Sequence, residues 1–264
     1  MNRLQAYFAA RRRKTLIPYV SAGDPSPALT VPLLQALVAG GADILELGIP
    51  FSDPTADGPI IQQAHERALA AGMTLEGVLA QVAEFRRQND QTPLVLMGYL
   101  NSLERFGFGR ACAAMHRAGV DGLILVDCPV EALPDYEAKL KAAALAPILL
   151  VAPTTSPARR AAIAARAEGF IYFVSLRGVT GTRAADAASI AEEVAALRAL
   201  TPLPVCIGFG IRDGASAAQM ATLADGVIIG SALVARLREA AQRQEDVAAV
   251  ATAFMQDIRN HLDS

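Results

Sequence analysis

The sequence has no tryptophan, three cysteines, three histidines and lysine only at positions 14, 139 and 141. Each scarcity removes a class of chemistry. Cys112, Cys128 and Cys206 are odd in number, far apart and without CxxC spacing, which argues against a disulfide framework or a cysteine zinc site. Buried thiols in a reducing, cytoplasmic compartment are expected instead. His65, His116 and His261 stand singly in segments of helical pattern, so a histidine-ligated catalytic metal lacks its ligands. Lys14 precedes the first strand-like run, and Lys139 and Lys141 lie in the helical stretch after the fourth, so no lysine is placed to form a Schiff base.

Charge of one sign is lacking too. With 24 basic and 26 acidic residues the net charge is −2, and only Arg11 to Lys14 forms a run, so a nucleic-acid ligand is not expected. The longest apolar runs are strand-sized, which leaves no candidate for a membrane span. The stretch "MNRLQAYFAARRRK" carries its charges after a short apolar part, the reverse of a signal peptide. It reads as an amphipathic helix with Leu4, Tyr7 and Phe8 on one face.

Eight short apolar runs are what the sequence does have: "TLIPYVSAG" from 15, "ADILELGIP" from 42, "TPLVLMGY" from 92, "VDGLILVD" from 120, "LAPILLVAP" from 145, "GFIYFVS" from 169, "LPVCIGFG" from 203 and "DGVIIGSA" from 225. Nearly every position in each is apolar, the mark of strands covered on both faces in a parallel sheet. Between them lie Ala- and Leu-rich stretches of helical spacing, such as "PALTVPLLQALVAGG", "LEGVLAQVAEFRRQN" and "DAASIAEEVAALRAL". A closing helix presents Val247, Val250, Phe254 and Ile258 on one stripe. No linker or shift of composition divides residues 1–264, so one domain is expected: a (β/α)8 barrel with an extra N-terminal helix. A doubly wound open sheet competes, but "YVSAGDPSP" stands after the first strand where a dinucleotide-binding version would carry GxGxxG.

Barrel active sites are built at the carboxyl ends of the strands, so polar residues there are the first candidates. Glu46 sits inside an apolar strand. Alternation puts Leu45, Leu47 and Ile49 on one face, toward the helices, and Glu46 on the other, toward the barrel interior. A carboxylate held there should have a raised pKa and serve as a general acid/base; the competing reading is a structural carboxylate paired with an arginine. Asp53 and Asp57 follow in "FSDPTADGP", where Asp-Pro and Asp-Gly-Pro are also plain turn formers. Asp57 is the better functional candidate, and Asp53 fits a loop or partner role. Glycines in "RGVTGTR", "GFG" and "GS" after the last three strands could present backbone N–H groups to a phosphate. The stretch 177–189, rich in small residues, suits a lid. On the residues alone, carboxylate acid/base chemistry on a phosphorylated small molecule is indicated, with lyase and isomerase both open.

The motifs "ELGIPFSDPTADGPIIQ", "VSLRGVTGTR", "GFGI" and "IIGSALV", in this order, resemble the tryptophan synthase alpha subunit family from about residue 2 to 260. The resemblance implies retro-aldol cleavage of indole-3-glycerol phosphate to indole and glyceraldehyde 3-phosphate. It implies Glu46 and Asp57 as the catalytic acids, with Thr180 meeting Asp57 from the lid. Gly181, Gly210, Gly230 and Ser231 match phosphate binders, Phe209 lies between the matching glycines of the seventh-strand loop, and Tyr19 and Tyr172 match residues beside the indole and the glycerol chain. It further implies no cofactor in this chain. The partner would be a pyridoxal-phosphate-dependent beta subunit in an αββα assembly, docked through Asp53, Pro54 and residues around 99 to 109. Thr55 departs from the family's more usual leucine. A stand-alone indole-releasing lyase, a phosphoribosyl isomerase and a non-catalytic phosphate-binding barrel are the competing functions.

Overall fold

All eight apolar runs form strands, and all adjacent pairs are parallel. The computed structural model describes residues 2–174, 183–208 and 210–264, without the side chains of 183–188. In chain order the strands are β1 (Thr15–Ser21), β2 (Leu45–Gly48), β3 (Leu94–Gly98), β4 (Gly122–Leu125), β5 (Ala146–Pro147), β6 (Leu149–Val151), β7 (Ile171–Val174), β8 (Val205–Gly208) and β9 (Gly226–Ile229). The sheet runs β5-β4-β3-β2-β1-β9-β8-β7-β6. Only Ile148 separates β5 from β6, so these two segments act as one bent strand that meets β4 on one side and β7 on the other. The curved sheet is thereby brought round on itself as a (β/α)8 barrel.

Side-chain alternation divides the core into two layers. Leu45, Leu47, Leu94, Leu96, Ile171, Phe173, Val205 and Ile207 point outward into one large cluster shared with the helices. Ile17, Ile44, Val95, Ile124, Ile148, Cys206 and Ile228 point inward and fill the barrel. The helix Arg3–Ala10 closes the amino-terminal end of that interior, with Leu4 fully buried and Tyr7 and Phe8 packed against it, as their shared face predicts. Its start is fixed by a capping box between Asn2 and Gln5. Cys112 and Cys206 are buried free thiols, and Cys128 is a half-buried one.

The Arg11–Lys14 run finds its explanation at this end of the barrel. Asp43, Asp121 and Asp225 stand just before β2, β4 and β9, and each accepts a backbone N–H from a neighbouring strand: Leu16 at 2.9 Å, Leu94 at 2.9 Å and Val205 at 3.0 Å. Each also holds two arginines. Asp43 pairs with Arg13 and Arg259 at 2.8 and 2.9 Å, Asp121 with Arg3 and Arg86 at 3.1 and 2.9 Å, and Asp225 with Arg11 and Arg198 at 3.1 and 3.0 Å. One arginine of every pair comes from the leading segment. Within the run, Arg11 and Arg13 are divided between Asp225 and Asp43, and Lys14 donates to the Ala224 carbonyl at 2.8 Å.

Two sequence expectations are adjusted. The closing helix, Val247–Asp263, buries Val247, Ala251, Met255 and Ile258, while Val250 and Phe254 pack at the margin of that stripe. The expected lid of 177–189 is helical from Arg183 onward, in the helix Arg183–Arg198. The helical pattern expected from Asp186 therefore starts at Arg183, extended by alanine, the strongest helix former, while residues 177–182 of the expected lid lie outside the described residues. No helix among the described residues is long and apolar enough to cross a membrane.

Candidate active site

A cavity of about 320 Å³ opens at the carboxyl ends of the strands. That is at the small end of the ~300–1,000 Å³ usual for small-molecule sites. Tyr19, Glu46, Asp57, Tyr172, Gly210, Gly230 and Ser231 line it together, having been drawn from widely separated parts of the chain. Its remaining walls are largely aliphatic, with Ile61, Met97, Val126, Leu150 and Ile228.

Glu46 lies in the middle of β2, in register with Tyr19 of β1 and Val95 of β3. It is 1 % exposed, and neither carboxyl oxygen has a hydrogen-bond partner among the described residues. No arginine among the described residues pairs with it. Burial pushes the carboxyl pKa up to about 8, and the nearby negative charge of Asp57 adds to the shift. The group consequently sits protonated near neutrality and can ionise with a modest change of surroundings.

Asp57 reaches the cavity from the loop between β2 and the helix Pro59–Ala70. Tyr99, the residue after β3, donates its hydroxyl to Asp57 Oδ2 at 2.7 Å and accepts the Ala56 N–H at 3.0 Å. Burial raises the Asp57 pKa, and the Tyr99 hydrogen bond acts in the opposite direction. Asp53 is exposed on the outer arm of the same loop and accepts from Ser52 Oγ at 2.6 Å, with half-buried Pro54 beside it; neither lines the cavity.

The two tyrosines lean over glycines on the next strand. A Cβ on Gly48 would lie 2.2 Å from Tyr19 Oη, and one on Gly208 would lie 2.4 Å from Tyr172 Oη, so any larger residue at either position would displace a ring. Both phenols are held well above their ordinary pKa by burial and stay neutral.

Gly230 and Ser231 begin the helix Ser231–Gln242, whose N-cap residue, Gly230, makes no side-chain capping hydrogen bond. Its first N–H groups and dipole therefore favour an anion at this edge of the cavity, next to Gly210. Thr180, Gly181 and Phe209 lie outside the described residues. No group of three or more His, Cys, Asp or Glu side chains among the described residues could hold a metal ion.

Two residues escaped the sequence reading. Tyr99 could have been noticed as a polar aromatic at a strand's carboxyl end, in "LMGYL". His65 was set aside as a solitary helical histidine, and no local signal betrays that Tyr19 lies across from it, 46 positions away.

The model of the family described as "Tryptophan synthase alpha chain" matches residues 6–263. The tryptophan synthase alpha chain of Laribacter hongkongensis (strain HLHK9) is 51% identical over 267 residues, covering 100% of both chains. That of Burkholderia pseudomallei (strain 1106a) is 50% identical over 266 residues, covering 100% of this chain and 97% of the relative. Among solved structures, tryptophan synthase subunit alpha from Legionella pneumophila str. Paris superposes with a TM-score of 0.93 at 41% identity, covering 100% of this chain and 99% of that one. A chain of tryptophan synthase from M. tuberculosis, in an aminoacrylate-bound form, gives 0.87 at 33% identity, covering 99% of this chain and 100% of that one.

Proposed function

The chain belongs to the tryptophan synthase alpha chain family, and from that premise we propose that it cleaves indole-3-glycerol phosphate to indole and glyceraldehyde 3-phosphate. The observation that carries the reading is the partnerless Glu46 carboxyl, buried in the same cavity as Asp57 and opposite an anion-favouring helix start. The aliphatic wall takes the indole ring, and the N-terminal turn at Gly230 and Ser231 takes the phosphate. Thr180 and Gly181 complete the site on this reading, Thr180 by meeting Asp57 and Gly181 by adding an N–H to the phosphate grip, with Phe209 beside Gly210.

Glu46 begins protonated, as its raised pKa favours. It gives its proton to indole C3, breaking the ring's aromaticity and leaving positive charge on the N–H, which the Asp57 carboxylate accepts as a hydrogen bond. Glu46, now anionic, takes the proton from the side-chain hydroxyl on the carbon bonded to C3. The electron pair of that O–H bond forms the aldehyde, the C3–carbon bond breaks, and its electrons restore the indole ring. One proton leaves Glu46 and one returns, so the enzyme is regenerated without any cofactor of its own. A positioned acid/base contributes about 10²- to 10⁴-fold.

The partner on this reading is a pyridoxal-phosphate-dependent beta subunit in an αββα assembly that receives the indole. The exposed Ser52–Asp53 arm and Ile60, 38% exposed beside it, support docking on that side, together with the segment around 99–109. Indole release from indole-3-glycerol phosphate by the purified protein, with and without a beta subunit, is the test. Absence of indole in both assays refutes the reading, and activity indifferent to the partner favours a stand-alone lyase.

A further inference from the structure

His65 has no role in the proton transfers, yet it is 2% exposed and stands directly behind the cavity wall. It shares the buried face of the helix Pro59–Ala70 with Ile61, Ala64 and Ala68. An imidazole at such a position is costly unless both ring nitrogens find partners. Both do. Nδ1 accepts the Phe51 N–H at 3.1 Å, and Nε2 lies 3.1 Å from Tyr19 Oη, which is itself 3.1 Å from Ser21 Oγ.

The Phe51 contact orders the whole chain. Because Nδ1 must accept, the neutral ring carries its proton on Nε2 and donates it to Tyr19 Oη, and the phenol shares a further hydrogen bond with Ser21 Oγ in which either hydroxyl can donate. Burial lowers the ring's pKa to about 4, which keeps this neutral form through the physiological range. The phenol oxygen is thus engaged by His65 and Ser21, and neither Glu46 oxygen has a hydrogen-bond partner among the described residues.

The two ends of this chain serve different parts of the site. Tyr19 is cavity wall, whereas Phe51 begins the loop that carries Asp57 and stacks on Tyr99 with centroids 4.9 Å apart. Tyr99 in turn holds Asp57. We propose that His65 is a positioning residue that ties Tyr19 to the root of the 51–57 loop, so that the aromatic wall and the Asp57 carboxylate keep a fixed mutual geometry toward the bound ring. The substrate's identity rests on the lyase reading; the lock itself does not.

The variants His65→Leu, His65→Gln and Tyr19→Phe, alone and combined, test the lock through kcat for indole release, through affinity for sn-glycerol 3-phosphate, which fills only the phosphate end, and through the ¹⁵N spectrum of the ring. His65→Leu is expected to lower kcat about tenfold, the worth of one to two lost hydrogen bonds, with glycerol phosphate affinity kept within about twofold. His65→Gln, whose amide offers one donor and one acceptor, recovers most of the loss. In a Tyr19→Phe background the cost of His65→Leu shrinks to about threefold, because only the Phe51 contact remains to be lost. The ring spectrum at pH 7 shows the Nε2–H tautomer, and its Nε2 resonance moves in Tyr19→Phe.

Unchanged kcat in His65→Leu, or parallel loss of kcat and glycerol phosphate affinity, overturns the proposal. Should His65→Leu not fold, the Gln variant and the ring spectrum decide it, and an Nδ1–H tautomer is fatal. If the unmodified protein releases no indole, the substrate is wrong, and the ring spectrum still tests the lock.

Discussion

Tyr99 and Asp57 come from different strand ends yet meet at 2.7 Å, the phenol donating to the carboxylate while its oxygen accepts the N–H of Ala56. The hydrogen bond opposes the upward pull of burial on Asp57 and so favours the anion needed beside a developing positive charge. Tyr99→Phe keeps the ring and its stack on Phe51 and removes only the hydroxyl. It is expected to cut indole release about tenfold or more, the worth of a hydrogen bond to a charged group. Asp57 loses the influence that lowers its pKa, so the acid limb of the pH–rate profile moves to higher pH. A profile of kcat/KM against pH checks both, and an unmoved limb means that Tyr99 does not govern Asp57.

The buried Glu46 carboxyl, to which the proposed function gives the proton transfers, carries a cost in stability that depends on pH. Its folded pKa of about 8 lies above its ordinary value of 4.5, so between these the unfolded chain has released a proton that the folded chain keeps. Stability from this group therefore falls as pH rises through that window and levels off above it. His65 runs the other way: with a folded value near 4 against 6.5, it adds stability as pH rises across the lower part of the same range. Glu46→Gln is expected to reduce turnover by about 10²-fold or more while flattening the decline toward pH 8. Urea denaturation at pH 5, 7 and 9 reads the second effect, and retained turnover contradicts the acid/base role.

Gly48→Ala places a methyl group 2.2 Å from Tyr19 Oη and 2.7 Å from its Cζ. The ring must move, at about 1–3 kcal/mol for overpacking, and with it the contacts to His65 and Ser21. Adding Tyr19→Phe removes the closest clash but leaves the ring carbon at 2.7 Å, so the rescue should be partial. Chemical denaturation of the single and double variants measures this, and full tolerance of Gly48→Ala shows that the tyrosine has room to swing.

At the opposite end of the barrel, stability and activity separate. Asp43 and Arg259 form an ion pair with side chains 5% and 8% exposed, and Asp43 also accepts from Leu16 and Arg13. Asp43→Ala leaves the buried Arg259 guanidinium only the Lys14 carbonyl at 2.9 Å and the part-exposed Asp263 at 3.4 Å, and is expected to cost about 3 kcal/mol. Since the site stands at the other rim, kcat of the protein that remains folded should stay near its unmodified value. A large fall in kcat without a fall in denaturation midpoint would mean that the two ends are coupled.

Much of this was legible in the sequence because strand periodicity is a local property. Glu46 could be aimed inward from Leu45 and Leu47 alone, and Gly210, Gly230 and Ser231 could be set at the cavity from the glycines that end the last strands. What stayed hidden were relations between distant positions. Asp43 reads as a strand-opening residue until Arg259 arrives beside it, 216 positions later, and Arg11 to Lys14 reads as an unremarkable basic run. His65 fits any buried helix face until Tyr19 and Phe51 converge on it. The helix expected from Asp186 starts three residues earlier, at Arg183, because the alanines of "RAAD" extend it.

The triple clamp imposes an order on biosynthesis. Arg3, Arg11 and Arg13 leave the ribosome before their carboxylate partners at 43, 121 and 225, which follow over a long stretch of chain. The leading segment is thus made before its partners and cannot be fully fastened until Asp225, just before the last strand, has been made. A bulky group beside Arg3, Arg11 and Arg13 would burden all three clamps, whereas one beside the closing helix would press only on the Asp43 clamp, which Arg259 and Asp263 complete.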